Sequence, residues 1–509
     1  MSLLKVPHSF YISTSEESQS IDSKTIQEFG INSFTLMEVA GYSAAENLLG
    51  MIKPESHGLF LCGKGNNAGD ALVVARYLVQ KGIDITLVFI SGVDELSTDT
   101  QKNFSLLKKI IDSDTQKGNL KIVKSWGDFD PHIKVDFAVD GMLGTGLDSE
   151  VRGDYNKAIS WTENTTKPVY AMDIPTGLHG NTGKIMGKAI TADTTFSFGT
   201  LKQGFYLNDG PSKAGEVIYC ELPFPNHLKD ICSTYLIDSS YIHVETDRSP
   251  RHKYEAGVLY VIAGSEGLTG AAMLAAQSAW AEGIGAVILI CPHGNLTIYE
   301  KSLPQIIKKP IGKRDDYFFK EEHVEDVIST LKEKNGKVLL GPGLGREKST
   351  VAFVHKLLNN YKGQIIIDAD GLWGLARKEN WEIPADSHWI LTPHPGELST
   401  LLGQSIKDDH HRLELVTDFC TVKNVTILSK GYPVILGTPG GDCYLTSYDT
   451  RKFSRAGFGD VLAGKIGAFW SQEYSSEKSC ALALLKGKHI LENIFEKDSS
   501  RIIEPKDFI

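Results

Sequence analysis

Short apolar runs, several of which end in Gly, Asp or His, alternate with longer helix-like runs in both halves of the chain. The runs in the first half are residues 57–63, 83–90, 135–141 and 167–175, and those in the second half are residues 257–264, 285–292, 337–343, 364–370, 388–394 and 425–431. This alternation predicts an α/β protein with parallel sheets and crossover helices. Ligands bind at the carboxyl edge of such sheets, so each half is expected to carry its own site.

The length of 509 residues also favours more than one domain, because it exceeds what a single hydrophobic core usually serves. A segment with two prolines among polar residues, 221–235, follows the last strand-like run of the first half. We place the boundary near Asn226, which divides the chain into domains 1–226 and 227–509.

Composition and charge narrow the class of protein. Hydrophobic residues make up 41% and charged residues 23%, as in soluble globular proteins. A net charge of -10 provides no basic field for nucleic acid. Seven scattered cysteines without a C-x-x-C pair suggest neither a disulfide framework nor a zinc site. No signal-like start or membrane-spanning apolar stretch is found, so we expect a cytoplasmic protein without nucleic-acid or membrane partners.

The stretch LFLCGKGNNAGDALVVARYL, residues 59–78, reads as a strand, a turn with three glycines and a helix that starts near Asp70. Glycines allow close backbone approach, and a helix N-terminus offers free N–H groups to an anion. A dinucleotide or another phosphate compound would fit this turn. A plain glycine turn with Asp70 as the helix cap is the alternative.

Two later strands of the first half end in aspartate. Asp140 precedes the glycine loop in residues 139–153, and Asp173 lies in AMDIPTGLHGNTG, residues 171–183. Parallel strands that end in Asp bring carboxylates together at one sheet edge. Because close carboxylates repel each other, a cation or a shared proton is expected between them.

The motifs GNNAGD (65–70), DGMLGTGL (140–147) and DIPTGL (173–178), preceded by LMEVAG (36–41), resemble the YjeF N-terminal family of NAD(P)HX epimerases. The resemblance covers essentially the whole first half. It implies a Rossmann-like three-layer sandwich that interconverts the R and S forms of hydrated NADH and NADPH, called NADHX and NADPHX.

The same resemblance implies residue roles in the first half. The dinucleotide would be held by Asn66, Asn67, Ala68, Gly69, Asp70, Gly144, Thr145, Gly146, Leu147 and Asp148. Asp173 would face the reacting ring and act as the acid/base group, while Asn67, Asp140 and Thr176 would bind K+. Ala68 and Ala71 replace glycines of the family's usual loop, a mild change unless those positions need a positive φ.

The second half carries a different series of motifs: GPGLG (341–345), TPHPGEL (392–398), SKGYP (429–433) and RAGFGD (455–460). From about Tyr254 to Phe495 it resembles the YjeF C-terminal family, the ADP- or ATP-dependent NAD(P)HX dehydratases of the ribokinase-like superfamily. The resemblance implies a ribokinase-like α/β domain. It also implies a dehydration in which a nucleotide phosphorylates the substrate hydroxyl, and phosphate then leaves.

In that reaction Asp460 would be the base on the hydroxyl, and the loop around Gly459 would stabilise the transferring phosphoryl group. By the same resemblance, Ala271, Gly343 and His394 would contact the hydrated dinucleotide together with Asp460. The nucleotide would be held by Lys430, Gly431, Tyr432, Pro433, Val434 and Gly459, and Glu397 is a candidate for orienting Mg2+.

Four residues depart from the second family's pattern: Arg455 and Phe458 replace small residues of the anion loop, Val434 replaces a threonine, and Trp373 replaces an asparagine. Their side chains either crowd the phosphate or point away from it.

Together the two resemblances imply a bifunctional enzyme, in which the epimerase supplies the epimer that the dehydratase consumes, and in the two-domain form ADP is the usual donor. Two alternatives stay open: a ribokinase-like small-molecule kinase with an accessory Rossmann-like domain, and a dinucleotide-binding sensor with a decayed dehydratase site. The sequence also leaves open whether the chain forms a homo-oligomer, whether ADP or ATP is preferred, and whether NADHX or NADPHX is preferred.

Overall fold

The computed structural model describes residues 4–113, 117–245 and 255–509. Pro7–Tyr235 form one compact unit, and Leu236–Ile509 belong to a second one. The start of the second resemblance, Tyr254, lies outside the described residues.

The first unit alternates strands and helices. Its strands are β1 (Tyr11–Ser13), β2 (His57–Cys62), β3 (Asp84–Phe89), β4 (Leu120–Val123), β5 (Phe137–Gly141), β6 (Val169–Met172), β7 (Thr194–Phe198), β8 (Leu201–Lys202), β9 (Glu216–Cys220) and β10 (Thr234–Ile237). Its helices are α1 (Ser15–Gln27), α2 (Ser33–Leu49), α3 (Asn66–Gln80), α4 (Thr98–Asp112), α5 (Asp154–Asn164) and α6 (Gly210–Lys213). The main sheet has the order β4-β3-β2-β5-β6-β7-β9, and each neighbouring pair is parallel.

Strand β2 explains why both faces of this sheet are covered. Phe60 and Cys62 belong to a core shared with α2, α3 and α4, whereas Leu59 and Leu61 belong to a core shared with α5. Because alternate residues of a strand point to opposite faces, an unbroken apolar strand must be buried on both sides. The Rossmann-like three-layer arrangement expected from the sequence is confirmed.

The first unit continues past the proline-containing segment. Leu228 and Cys232 belong to its core, and Tyr235 pairs with Tyr11 where β10 lies antiparallel to β1. The structure therefore divides the chain after Tyr235, later than the boundary near Asn226 that the prolines suggested, because these apolar residues still pack on the first unit.

The second unit also has an open sheet with crossover helices. Its strands are β11 (Val258–Ile262), β12 (Ala286–Pro292), β13 (Ile307–Ile311), β14 (Lys337–Leu340), β15 (Gln364–Ile367), β16 (His388–Leu391), β17 (Thr426–Ser429), β18 (Ile435–Gly437) and β19 (Cys443–Thr446). Its helices are α7 (Thr269–Ala281), α8 (Leu296–Ser302), α9 (Val324–Leu331), α10 (Lys348–Asn360), α11 (Ala369–Leu375), α12 (Pro395–Leu402), α13 (Asp409–Lys423), α14 (Phe458–Ser471) and α15 (Ser476–Lys497).

The strands of the second unit follow the order β13-β12-β11-β14-β15-β16-β17-β18-β19. Pairing is parallel from β13 to β17 and antiparallel for β18 and β19. The α/β fold with parallel sheets is thus confirmed in this half as well. The carboxyl ends of β15, β16 and β17 lie side by side, and they position the second site.

All ten strand-like runs of the sequence overlap observed strands. The sequence did not single out the edge strands β4, β9 and β13, whose lysines and glutamate interrupt the apolar pattern because one strand edge faces no neighbour. All seven cysteines lie in the described part and are buried free thiols. In the same part of the chain, no helix combines the length and apolar character that crossing a bilayer requires.

Candidate active sites in the two units

The glycine turn after β2 leads directly into α3. Gly65 is the N-cap, and the helix begins at Asn66, so the predicted start near Asp70 was wrong. Asp70 lies in the second turn, where it is buried and does not cap the helix. Asn66 is exposed at the helix start, whereas Gly69 is buried so closely that a Cβ there would lie 2.4 Å from Met37 Sδ.

The two alanines that replace glycines are both helical. Ala68 and Ala71 lie within α3 and neither has a positive φ. A Cβ added at Gly141 would lie 2.5 Å from Ala71 Cβ, so the methyl of Ala71 occupies the space that Gly141 leaves. The loop therefore accepts both methyl groups without strain.

Oxygen atoms of Asn67, Asp140 and Thr176 converge at the carboxyl ends of β5 and β6. Asp140 Oδ2 accepts the Thr176 N–H at 2.7 Å, and Asp140 Oδ1 accepts the Thr176 hydroxyl at 2.7 Å. Asn67 donates its amide to the Leu143 carbonyl at 3.1 Å, while its buried Oδ1 has no hydrogen-bond partner within the described ranges. Burial raises the pKa of Asp140 to about 6, although hydrogen bonds from Thr176 and Met142 oppose the shift.

Lys202 forms an ion pair with Asp173, the residue that follows β6. The Lys202 Nζ atom lies 2.7 Å from Asp173 Oδ1 and also donates to the carbonyls of Phe198 at 2.8 Å and Thr200 at 3.0 Å. Asp173 has a φ of 58°, which is uncommon outside glycine and occurs where the surroundings force it, often at functional sites. The geometry presents a carboxylate whose position is fixed by a buried ammonium group.

Two further carboxyl groups couple to this pair. Burial raises the pKa of Asp22, on α1, to about 6, with Asp173 adding to the shift and Lys202 opposing it. Burial raises the pKa of Asp70 well above its usual range, and Asp173 and Asp22 add to that shift. Two buried carboxyl groups with raised pKa values thus lie near the ion pair of Asp173 and Lys202.

Sequence reasoning missed Asp22 and Lys202. Lys202 comes shortly after the end of the buried strand β7. The strand-end argument that identified Asp173 could therefore also have identified Lys202. Asp22 sits in an ordinary helical pattern and carries no signal of its own in the sequence.

The predicted binding loop 144–148 lies beside the cluster formed by Asn67, Asp140 and Thr176. The Thr145 carbonyl accepts the Ser15 hydroxyl at 3.2 Å, and Leu147 packs on the core next to α5. Gly146 and Asp148 are exposed, while a Cβ at Gly144 would lie 3.6 Å from Asn67. The loop is thus fixed at both ends and open to solvent between them.

A cavity of about 620 Å³ opens at the carboxyl ends of the strands in the second unit. We call it the second-site cavity. Its polar lining includes Asp368, His394, Glu397, Lys430 and Asp460. Asp368 follows β15, His394 follows β16 and Lys430 follows β17, so three neighbouring parallel strands deliver them.

Lys430 is the cation of this cavity that pairs with Asp368. Its Nζ atom donates to Asp368 Oδ1 at 2.7 Å, an oxygen that also accepts the Thr392 hydroxyl at 2.8 Å. Burial lowers the pKa of Lys430, but Asp368, Glu397 and Asp460 outweigh that effect and raise it overall. Burial, with Asp368 adding to it, raises the pKa of Asp460 to about 7, which suits a general base near neutral pH. Sequence reasoning had not assigned Asp368, although it directly ends a strand.

His394 and Glu397 cap helix α12. His394 Nδ1 accepts the N–H of Gly396 at 3.0 Å and that of Glu397 at 3.3 Å, while Glu397 Oε2 accepts the His394 N–H at 2.9 Å. Nδ1 is therefore unprotonated, and in the neutral ring Nε2 carries the proton. Burial raises the pKa of Glu397, and Lys430 opposes the shift. Both residues combine a capping role with a place in the cavity lining.

The buried side chain of Arg412 supports the predicted nucleotide-binding turn 430–434. Arg412 donates to the carbonyls of Lys430 at 3.2 Å and Pro433 at 2.7 Å, and it pairs with Asp409 at 2.9 Å. The Val434 N–H donates to the Thr446 hydroxyl at 3.0 Å. A hydroxyl group from β19 thus contacts the backbone of Val434.

The anion loop buries the Phe458 side chain in an apolar cluster that borders the second-site cavity. Gly457 has a φ of 94° and caps α14, which begins at Phe458, so free N–H groups of the helix start face the cavity. The Phe458 ring packs edge-on against Phe453 at 5.5 Å and Phe508 at 5.3 Å between ring centres. Arg455 donates to the Ile503 carbonyl at 3.4 Å. Neither departure removes the backbone donors.

Three other residues singled out from the sequence lie apart from this cavity lining. Trp373 lies between the guanidinium groups of Arg346 and Arg377. Ala271 and Gly343 lie next to each other, since a Cβ at Gly343 would lie 3.1 Å from Ala271 Cβ.

Comparison with known proteins gives separate matches for the two halves of the chain. Residues 33–204 match the family described as YjeF-related protein N-terminus, and residues 259–506 match the family described as NAD(P)H-hydrate dehydratase. A bifunctional NAD(P)H-hydrate repair enzyme Nnr of Salinibacter ruber is 33% identical over 487 residues, covering 92% of this chain and 89% of that protein. This chain belongs to the bifunctional NAD(P)H-hydrate repair enzyme family. Both resemblances read from the motifs are thereby confirmed.

A second relative carries the same name. The protein of the same name from Thermofilum pendens is 26% identical over 471 residues, covering 91% of this chain and 88% of that protein. Among solved structures, the ADP/ATP-dependent NAD(P)H-hydrate dehydratase of Bacillus subtilis, co-crystallised with ATP/Mg2+, is 20% identical with a TM-score of 0.44. That match covers 54% of this chain and 94% of the solved chain.

Proposed function

We propose that the chain repairs hydrated nicotinamide nucleotides, with an epimerase site in the first unit and a nucleotide-dependent dehydratase site in the second. The observation that carries the proposal is that each unit places a lysine-paired carboxylate at the carboxyl edge of its sheet, within a chain that matches a repair enzyme over 92% of its length. The family membership favours this reading over a small-molecule kinase and over a sensor without catalysis. ADP or ATP is the co-substrate, with ADP proposed as the usual donor, and a cytoplasmic location suits the free thiols.

In the first unit, Asp173 acts on the hydroxyl-bearing carbon of the substrate ring, which is bonded to the ring nitrogen. Reversible loss of water or ring opening scrambles that carbon, and one carboxylate can serve both directions of proton transfer. Lys202 holds Asp173 in position through their 2.7 Å contact. Residues 66–70 and 144–148 are proposed to bind the dinucleotide.

The residues proposed for K+ fit a large monovalent cation. The unpaired, buried Oδ1 of Asn67 needs a positive partner, and Asp140 and Thr176 supply a carboxylate and a hydroxyl beside it. Hard cations prefer such oxygen ligands. When bound, K+ would balance the buried charge of Asp140 and fix the loop that follows it.

In the second unit, Asp460 removes the proton from the substrate hydroxyl. The oxygen of that hydroxyl attacks the terminal phosphorus of the nucleotide at the same time. The phosphoanhydride bond breaks, AMP leaves from ADP or ADP leaves from ATP, and the ring nitrogen then expels phosphate as a neighbouring proton is lost. Lys430 and the N–H groups at Gly459 stabilise the charge on the phosphoryl oxygens. Residues 431–434 are proposed to hold the nucleotide, and His394, Ala271 and Gly343 to contact the dinucleotide.

The cavity lining also suits Mg2+, which is usually held by one or two carboxylates together with phosphate oxygens and water. Glu397 and Asp368 are the carboxylates available besides Asp460. When bound, Mg2+ would neutralise the nucleotide phosphates. In the described residues no cluster of three or more His, Cys, Asp or Glu forms a metal cage by itself.

A coupled assay that starts from the R epimer of NADHX tests both sites at once. With ADP or ATP, the full chain should restore NADH absorbance and release phosphate and AMP or ADP, respectively. Asp173→Asn should repair the S epimer but not the R epimer, and Asp460→Ala should repair neither. A phosphate ester that accumulates without NADH would favour a kinase, and tight binding of both epimers without turnover would favour a sensor.

A further inference from the structure

The anion loop contacts one short segment, residues 503–508, at three of its positions. Arg455 donates to the Ile503 carbonyl at 3.4 Å. A Cβ at Gly457 would lie 3.0 Å from Pro505 Cγ, so this proline lies directly on the glycine. Phe508 packs against the Phe458 ring at 5.3 Å. We call residues 503–508 the brace segment.

The brace segment is itself firmly anchored. Ile503 is 5% and Phe508 is 2% exposed, and both belong to one apolar cluster with Phe458 and Val461. The Glu504 N–H donates to Asp507 Oδ2 at 2.8 Å, which closes the short helical turn Pro505–Phe508. An ion pair of 2.6 Å joins Arg501 to Asp507 Oδ1. The segment can therefore resist displacement of the loop that it contacts.

The loop needs such support at the point where the helix begins. Gly457 has a φ of 94°, and the only backbone bond across the turn within the described ranges, from the Phe458 N–H to the Arg455 carbonyl, is long at 3.4 Å. The position of the Gly459 N–H and of the Asp460 carboxyl depends on this turn. Packing against the brace segment supplies what the weak hydrogen bond does not.

We propose that the brace segment positions the anion loop for phosphoryl transfer, and that Phe458 and Arg455 are the residues through which it acts. Phe508 is thus a positioning residue, since its effect reaches the nucleotide through Phe458. In this chain, the two side chains that depart from the family pattern have a structural role. They hold the loop against the brace segment, whose Phe508 also lines the second-site cavity. The catalytic part of the inference rests on the proposed dehydratase function.

The test compares three variants of the full chain: Phe508→Ala, the conservative Phe508→Leu, and Ile502→Ala as a matched control. Ile502 is the neighbouring residue of the same stretch and is 67% exposed. Amide hydrogen exchange of Phe458, whose N–H bonds to the Arg455 carbonyl, should accelerate at least about tenfold in Phe508→Ala, much less in Phe508→Leu, and not in Ile502→Ala. The KM for the nucleotide should rise by a similar factor in Phe508→Ala, with epimerase turnover unchanged.

Arg455→Ala provides a second route if Phe508→Ala fails to fold, and it should also accelerate exchange in the loop. Unchanged exchange at Phe458 would overturn the proposal. Equal acceleration throughout the second unit would overturn it too, because the segment would then stabilise the whole unit rather than position the loop. If the wild-type chain shows no dehydration, the proposed function fails, while the exchange measurement still decides whether residues 503–508 hold the loop.

Discussion

The Nζ atom of Lys202 lies 2.7 Å from Oδ1 of Asp173, and two backbone carbonyls take up its remaining hydrogen bonds. The ammonium group is buried and held by three acceptors, so it cannot rotate away from the carboxylate. Two neighbouring carboxyls, Asp22 and Asp70, have raised pKa values because they are buried beside this pair. The first site therefore groups an ion pair with two buried carboxyl groups whose pKa values lie above their usual range.

Replacing Lys202 with methionine should lower the epimerisation rate by about 10²-fold, because it removes the ammonium group that holds the Asp173 carboxylate in position. Interconversion of the epimers measures the effect. Lys167→Met, at an exposed lysine of the same unit, is the control. A wild-type rate in Lys202→Met would contradict a role of this ion pair in catalysis.

Dehydration should depend on pH through Asp460, whose pKa is raised to about 7 by burial and by Asp368. A base works in its deprotonated form, so kcat/KM should be constant above pH 7 and fall about tenfold per pH unit below it. Asp368→Asn removes a negative neighbour and should move this limb to lower pH. Initial rates of NADH formation from the S epimer provide the measurement, and a limb centred near pH 4 in the wild type would contradict the assignment.

Potassium ions should stabilise the first unit more at pH 8 than at pH 5. Asp140 has a pKa of about 6, so its raised value makes the ionised form costly in the folded protein above that pH, and a bound cation offsets the cost. Saturating K+ should raise the free energy of unfolding by about 1–3 kcal/mol relative to choline. Thermal melts in the two salts measure the difference. Asn67→Ala should abolish it, and an equal stabilisation in that variant would place the ion elsewhere.

Arg412→Met should destabilise the second unit by about 3 kcal/mol, because it removes a buried charge and leaves buried carbonyl groups of the turn 430–433 without donors. The urea concentration that abolishes half of the dehydratase activity reports on this unit alone. Arg451→Met removes an exposed ion pair with Asp449 and should change stability by no more than about 1 kcal/mol. A similar shift for both variants would mean that the buried contacts of Arg412 contribute little.

Much of the fold could be predicted because apolar runs buried on both faces of a parallel sheet are continuous in the sequence. Edge strands such as β13, with the sequence IKKPI, could not be predicted. A strand with one free edge tolerates lysines, which make its sequence resemble that of a loop. The helix start at Asn66 was missed for a related reason. The sequence offered Asp70 as an attractive cap, but the chain uses the backbone of Gly65, which carries no side-chain signal.

The residues at strand ends, Asp140, Asp173, His394 and Lys430, followed from the sequence, because the order of strands along the chain already places their ends at one edge. The side chains that pair with those residues could not be predicted from the sequence. Lys202 reaches Asp173 across 29 positions of chain, as the residue numbers give, and Lys430 reaches Asp368 across 62. Contacts at such separations depend on which strands lie side by side.

The direction of the Phe458 side chain was likewise beyond the sequence. A phenylalanine in the anion loop can either fill the phosphate position or leave it, and the local residues allow both. The choice depends on an apolar surface formed by Phe453 and by Phe508, which lies 50 positions further along the chain. The motif RAGFGD thus predicted a glycine turn, a helix start and a candidate base, whereas the tertiary structure decided where the Phe458 ring lies, because burying it against Phe508 removes it from water.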